Sequence, residues 1–217
     1  MIVFGREIKA VIFDLDGVIV STDHLHYLAW KSIADEEGIP FDEKINDRLR
    51  GVSRMQSLEI LLEKAGRAYD AFEKELLAHK KNELFVKSIG ILKPSDILPG
   101  VSEILAHLQF LGVMVAIGSS SKNAKRILAN IGMDGAFCAV ADGNDITQTK
   151  PNPEIFLVAA KKLGVNPINC LVVEDADAGV EAAVCAGMAA VGLNTRPVAY
   201  DFFAGVKNVR ELLTLFS

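Results

Sequence analysis

Ile8-Lys9-Ala10-Val11-Ile12-Phe13-Asp14-Leu15-Asp16-Gly17 decides the fold: a short apolar run rich in β-branched residues that stops at two acids and a glycine. Such a run, bounded by a turn, reads as a buried strand ending in a loop. Downstream of Pro99-Gly100 the same rhythm returns repeatedly. A helical stretch (Val101 to Leu111) precedes an apolar strand (Val113 to Ile117), and a helix (Lys122 to Ile131) precedes another (Ala136 to Ala141). Helix Pro153 to Leu163, strand Cys170 to Val173, helix Ala178 to Ala186 and strand Ala189 to Leu193 continue it, with a closing helix over Val209 to Phe216. Alternation of this kind predicts a parallel sheet flanked by helices.

Between the first strand and that series no strand pattern occurs. Thr22 to Glu37 places Leu25, Leu28, Ala29, Ile33 and Ala34 on one helical face, with Gly38 as its stop. Asp42 caps a segment running to Arg50, Ser53 and Gln56 form a capping box ahead of Ser57 to Lys64, and Tyr69 to Ile89 reads as one long helix. The prediction is a doubly wound, Rossmann-like α/β core (residues 1–20 and 90–217) carrying an inserted all-helical cap (residues 21–89). The 217 residues suffice for one domain with such an insertion and a large core.

The net charge of −5, from 23 basic and 28 acidic side chains, argues against nucleic acid or an anionic membrane as partner. No stretch of about 18 apolar residues occurs, and charges interrupt the first nine residues, so a cytoplasmic location is expected. Cys138, Cys170 and Cys185 form no C-x-x-C pair and are expected to be reduced, buried small residues.

In a doubly wound sheet ligands bind beyond the carboxyl ends of the strands. Here those ends carry Asp14-Leu15-Asp16-Gly17, Gly118-Ser119-Ser120-Ser121-Lys122-Asn123, a polar loop leading to Lys150-Pro151, and Glu174-Asp175. Acids crowded on one rim call for a divalent cation with oxygen ligands, and Mg²⁺, which keeps waters and binds substrate phosphate, suits them. An ionised Asp14 beside that cation and Lys150 could attack phosphorus, with Ser119 holding phosphoryl oxygens and Asp16 moving the proton.

These four segments in this order resemble the motifs of the haloacid dehalogenase (HAD) phosphotransferase superfamily. The insertion resembles the small helical cap of its β-phosphoglucomutase family at His26-x-x-Ala29-Trp30-Lys31, Arg50-Gly51-Val52-Ser53-Arg54-x-x-Ser57-Leu58 and Lys80-Lys81-Asn82. The resemblance implies interconversion of β-glucose 1-phosphate and glucose 6-phosphate through an aspartyl-phosphate enzyme, with glucose 1,6-bisphosphate as phosphoryl donor and intermediate. It assigns Asp14 as nucleophile and Asp16 as general acid/base. One Mg²⁺ per chain would be held by Asp14, Asp16, Asp175 and, assisting, Glu174, and the transferring phosphate by Ser119 and Lys150. The distal phosphate would fall to Arg54, Ser121, Lys122 and Asn123, while Thr22, His26, Trp30, Arg50, Gly51, Val52, Ser53 and Lys81 line the substrate side. Arg50 stands where the family commonly has Lys, and Ala176 where it commonly has Ser. The implied enzyme is a monomer acting on a small sugar phosphate. A sugar-phosphate phosphatase of the same superfamily, in which water takes the phosphoryl group, is the alternative, and a non-catalytic sugar-phosphate-binding protein is a third reading.

Overall fold

The computed structural model describes residues 1–49 and 51–216; Arg50 lies outside the described residues. The chain opens with a short antiparallel hairpin, β1 (Ile2–Val3) and β2 (Arg6–Glu7), before β3 (Ala10–Phe13). Four helices follow: α1 (Asp23–Glu36), α2 (Glu43–Asp47), α3 (Arg54–Leu62) and α4 (Ala71–Ile89). The chain then alternates through α5 (Val101–Phe110), β4 (Met114–Gly118), α6 (Ala124–Asn130), β5 (Ala139–Ala141) and α7 (Glu154–Leu163). It ends with β6 (Cys170–Glu174), α8 (Asp177–Cys185), β7 (Ala189–Leu193), β8 (Phe203–Val206) and α9 (Leu212–Leu215).

Among the described residues the main sheet has six strands in the order β5-β4-β3-β6-β7-β8, every pair parallel. β3, the first strand to enter it, is central, and all four of its side chains are buried. That double burial is why the sequence shows a continuous apolar run instead of an alternating one. One face packs Val11, Phe13, Ile117, Leu171 and Val191 against α5 and α6; the other packs Ile12, Ala116, Val172 and Ala190 against α7 and α8. A third cluster, centred on Trp30, Ile33, Leu58, Leu61 and Leu77, is built wholly from the helical insertion.

Two strands of chain join the insertion to the sheet and run side by side. Gly17 N–H donates to Val20 C=O, Leu98 N–H donates to Ile19 C=O, and Val20 bridges Ile97 antiparallel. Ala29, Phe85 and Ile89 of α1 and α4 reach down into the core cluster beside β3. Ser53 and Gln56 do form a capping box, but the helix it starts is Arg54–Leu62, and Asp70 with Glu73 builds a second one for α4.

Several readings need correction. β8 and the N-terminal hairpin were not anticipated, because β8 (Phe-Ala-Gly-Val) is only four residues and follows an irregular loop. Leu28 is half-exposed: the buried stripe of α1 runs through Ala29, Trp30, Ile33 and Ala34. The predicted closing helix is a 3₁₀ turn (Val209–Glu211) leading into α9, and the segment expected to reach Arg50 ends as a helix at Asp47. Cys170 is buried, but Cys138 and Cys185 are exposed, one before an edge strand and the other at the end of α8.

Candidate active site

Register brings the strand ends level. Phe13 pairs with Ile117 on one side and Val173 on the other, so the next residues along each strand, Asp14, Gly118-Ser119 and Glu174, stand side by side. Asp14 N–H donates to Val173 C=O and Ser119 N–H to Ala141 C=O, fixing both residues at the sheet edge (2.9 and 3.1 Å). Asp14, Ser119, Lys150 and Glu174 are all buried polar residues. They open onto a cavity of about 790 Å³ between the sheet and the helical insertion, within the size range of small-molecule sites.

Lys150 Nζ donates to both Asp14 Oδ1 and Glu174 Oε1. Glu174 is held at its other oxygen by Ala176 N–H (2.8 Å). Its two oxygens are therefore committed to Lys150 and the backbone, so in this arrangement Glu174 orients the lysine. Gly179 makes room for it: a Cβ there would lie 2.0 Å from the Glu174 carboxyl carbon. The loop that delivers Lys150 is pinned by Glu154 on the first turn of α7, which accepts from the N–H groups of Thr147 and Gln148.

Burial pushes the Asp14 carboxyl well above the usual range; Lys150 pulls it down, and Glu174, Asp175 and Asp16 push it further up. Burial also works against the Lys150 charge, but Asp14 and Glu174 more than reverse that and hold the ammonium protonated. One ammonium does not offset four acids. A divalent cation with a preference for oxygen fits this imbalance, and the donors suit it. Gly17, at φ +77°, lets the Asp16-Gly17 backbone approach the Asp175 carboxylate so closely that a Cβ there would sit 2.0 Å from Oδ2. Among the described residues no group of three His, Cys, Asp or Glu side chains is converged as a complete cage.

Asp16 is aimed differently. Thr22 precedes α1, where a threonine hydroxyl would ordinarily cap the helix, yet it makes no cap bond and instead donates to Asp16 Oδ1. Burial raises Asp16 to about 6, Thr22 and the lysines pull down, and Asp23 pushes up. Because the Thr22 hydrogen bond favours the carboxylate, Thr22→Val should raise the proton affinity of Asp16. We expect the pH–rate limb assigned to Asp16 to move upward by about one unit; a limb that stays or moves down contradicts this assignment.

In the helical insertion His26 stacks on Phe85 (ring centroids 3.9 Å) and its Nδ1 lies 2.7 Å from Lys81 Nζ. Burial, Lys81 and Arg54 hold His26 well below its ordinary value, so it is neutral. A protonated lysine has only donors, so Nδ1 accepts and the ring proton sits on Nε2. Lys81 is itself buried against Trp30 and Phe85, and desolvation followed by Arg54 lowers it to about 7. Between about pH 7 and 10 the folded chain binds fewer protons here than the unfolded one, so this cost is full below pH 7 and fades as pH rises. Lys81→Met should therefore stabilise the fold by about 2 kcal/mol or more at pH 6 and progressively less toward pH 10. Denaturant midpoints at the two pH values check this, and a pH-independent difference would count against it.

Arg54 opens α3 and is half-buried, its proton affinity lowered by burial alone. Among the described residues its hydrogen-bond partner is the neutral Asn82, not a carboxylate. Ser121 and Asn123 form a nested turn across the cavity: Ser119 Oγ accepts from Ser121 N–H and Ser121 Oγ from Asn123 N–H. Lys122 borders the same space, as do Trp30, Gly51, Val52 and Ser53. Gly51, at φ +74°, packs against Ala176, where an added Cβ would approach to 3.2 Å. Sequence reasoning did not single out Ser120, which donates to Gly51 C=O, or Asn82 as site residues. Ser120 had only its place in the Ser119 turn as a signal, and Asn82 its place in the Lys80-Lys81-Asn82 segment of the cap resemblance.

A buried acid at the end of a central parallel strand, a lysine bridging it to a second acid, and a helical insertion roofing the cavity define a class. The chain belongs to the haloacid dehalogenase-like hydrolase family, whose model matches residues 8–187. It is 45% identical over 187 residues to the beta-phosphoglucomutase of Bacillus subtilis (strain 168), covering 85% of this chain and 83% of that protein. The crystal structure of beta-phosphoglucomutase from Clostridium difficile superposes with a TM-score of 0.88 at 39% identity, covering 94% of this chain and 93% of that one. The fructose-1-phosphate phosphatase of Escherichia coli (strain K12) is 33% identical over 181 residues, 83% of this chain and 94% of that protein.

Proposed function

We propose that the chain is a β-phosphoglucomutase, an isomerase that interconverts β-glucose 1-phosphate and glucose 6-phosphate. The observation that carries this reading is that one cavity is lined both by Ser119 and Lys150 beside Asp14 and by Arg54 with Ser121, Lys122 and Asn123, which we read as two anion sites. A hydrolase of monophosphates needs only the first. The 45% identity to a beta-phosphoglucomutase supports the same reading.

In this mechanism residues 21–89 act as a cap over a core of residues 1–20 and 90–217. Asp14 attacks phosphorus of glucose 1,6-bisphosphate, and the phosphoryl group moves to its carboxylate as the sugar oxygen leaves. Lys150 and Ser119 hold the phosphoryl oxygens where negative charge accumulates. Asp16, held by Thr22, supplies the proton to the leaving sugar oxygen and removes it from the sugar hydroxyl that attacks in the return step. Asp14, the Asp16 backbone carbonyl and Asp175 would hold Mg²⁺, which when bound neutralises charge on the transferring phosphate. Arg54 and the 121–123 turn grip the phosphate that is not reacting, and re-gripping the other phosphate after the intermediate turns over exchanges the two ends. His26, Lys81 and Trp30 face the sugar from the cap. The reading is of a monomer working on sugar phosphates in the cytoplasm.

The test is to supply β-glucose 1-phosphate with Mg²⁺ and catalytic glucose 1,6-bisphosphate, and to record glucose 6-phosphate and free phosphate together. Glucose 6-phosphate forming far faster than free phosphate, with the α-anomer untouched, is the expected result. Free phosphate as the dominant product would replace this reading with that of a sugar-phosphate phosphatase.

A further inference from the structure

Among the described residues, side-chain hydrogen bonds cross the cavity between the helical insertion and the loops that follow the strands. Ser120 Oγ donates to Gly51 C=O at 3.2 Å, Thr149 Oγ1 to Gln56 Oε1, and Asn123 Nδ2 to Asn82 Oδ1 at 3.0 Å. The last differs from the others because its acceptor, Asn82 Oδ1, also accepts from a charged donor, Arg54 Nη2, at 2.7 Å. A guanidinium carries no acceptor, so the amide oxygen of Asn82 must face Arg54. One neutral atom on α4 therefore gathers a cationic donor from the insertion and an amide donor from the loop between β4 and α6 at the same point. Both donors are groups that the proposed mechanism assigns to the distal phosphate.

We propose that Asn82 is a positioning residue that sets recognition of the second phosphate, by holding Arg54 and Asn123 together across the cleft in the closed arrangement. This rests on the two-phosphate reading above. Neutrality is part of the device. A carboxylate at this position would accept the same two hydrogen bonds, but it would pair with the Arg54 charge and compete with the incoming anion. An amide fixes the guanidinium and leaves its charge for the phosphate. Arg54 has no carboxylate among its described partners, which fits this arrangement.

The experiment compares phosphorylation of the intact Mg²⁺-loaded enzyme by two donors: glucose 1,6-bisphosphate, which carries a distal phosphate, and acetyl phosphate, which does not. The readout is the ratio of kcat/KM for the first donor to that for the second. Asn82→Ala should lower this ratio about tenfold, through KM for the bisphosphate. Asn82→Asp should lower it further although it can still accept both hydrogen bonds. If both variants keep the wild-type ratio, or both donors lose rate equally, the assignment is wrong. Should Asn82→Ala fail to fold, Asn82→Asp decides alone, and a wild-type ratio in it overturns the proposal. The outcome is separable from that of the mutase reading: a wild-type enzyme that releases phosphate to water still reports the donor ratio, while its lack of glucose 6-phosphate tests the activity.

Discussion

Asp14→Asn is expected to abolish phosphoenzyme formation and to lower turnover by about 10⁴-fold or more, because the amide has no anionic oxygen with which to attack phosphorus. The substitution changes shape very little. Asp14 sits at the end of β3 with its backbone tied to Val173, and Lys150 keeps Glu174 as a partner. Loss of activity without loss of fold should follow, with the thermal transition of the variant close to that of the wild type. Labelling by a radioactive phosphoryl donor at the wild-type level would remove Asp14 from its role.

The second large effect falls on Lys150, which joins chemistry to stability. It is buried and bridges two buried carboxylates. Lys150→Ala leaves Asp14 and Glu174 facing each other without their cation, and breaking a buried ion pair in this way costs about 3–5 kcal/mol. Without the ammonium, the buried Asp14 carboxyl holds its proton still more tightly in the folded variant than in the unfolded chain. The folded state then binds more protons, so stability falls as pH rises, and the deficit seen at pH 7.5 shrinks toward pH 5. Turnover should fall about 10³-fold, since the charge that meets the transferring phosphate is gone. Denaturant titrations at the two pH values, in chelator and with Mg²⁺, test this. A variant as stable as the wild type at pH 7.5 would show that the bridge carries no weight.

The sequence patterns locate the sheet well for a physical reason. β3, β4, β6 and β7 are buried on both faces, so each reads as an apolar run, and β3, β4 and β6 lead into polar residues that line the cleft. β8 is half-exposed and includes a glycine, so it carries no such run. The start of a helix was legible where a side chain caps it, as with Ser53 and Gln56, and also at Thr22; that the Thr22 hydroxyl turns to Asp16 instead of capping was not. Burial of charged groups was the hardest to read. Lys81 looks like half of an ordinary basic pair, yet its neighbour Lys80 reaches out to Glu36 on the surface while Lys81 turns inward to His26. One residue on from it, Asn82 reaches across to the 119–123 turn, a long-range contact that no local pattern encodes. Exposed apolar side chains such as Phe72 and Phe110 show the converse, since a phenylalanine in a helix reads as core until its face is known.

The central claim is that an alcohol, not water, takes the phosphoryl group from Asp14. The most direct test is a single-turnover chase: enzyme labelled on Asp14 is mixed with β-glucose 1-phosphate and quenched over time. The account predicts that the label passes to glucose bisphosphate and then to glucose 6-phosphate, far faster than it appears as free phosphate. Label leaving mainly as free phosphate, at a rate that added β-glucose 1-phosphate does not change, would contradict it.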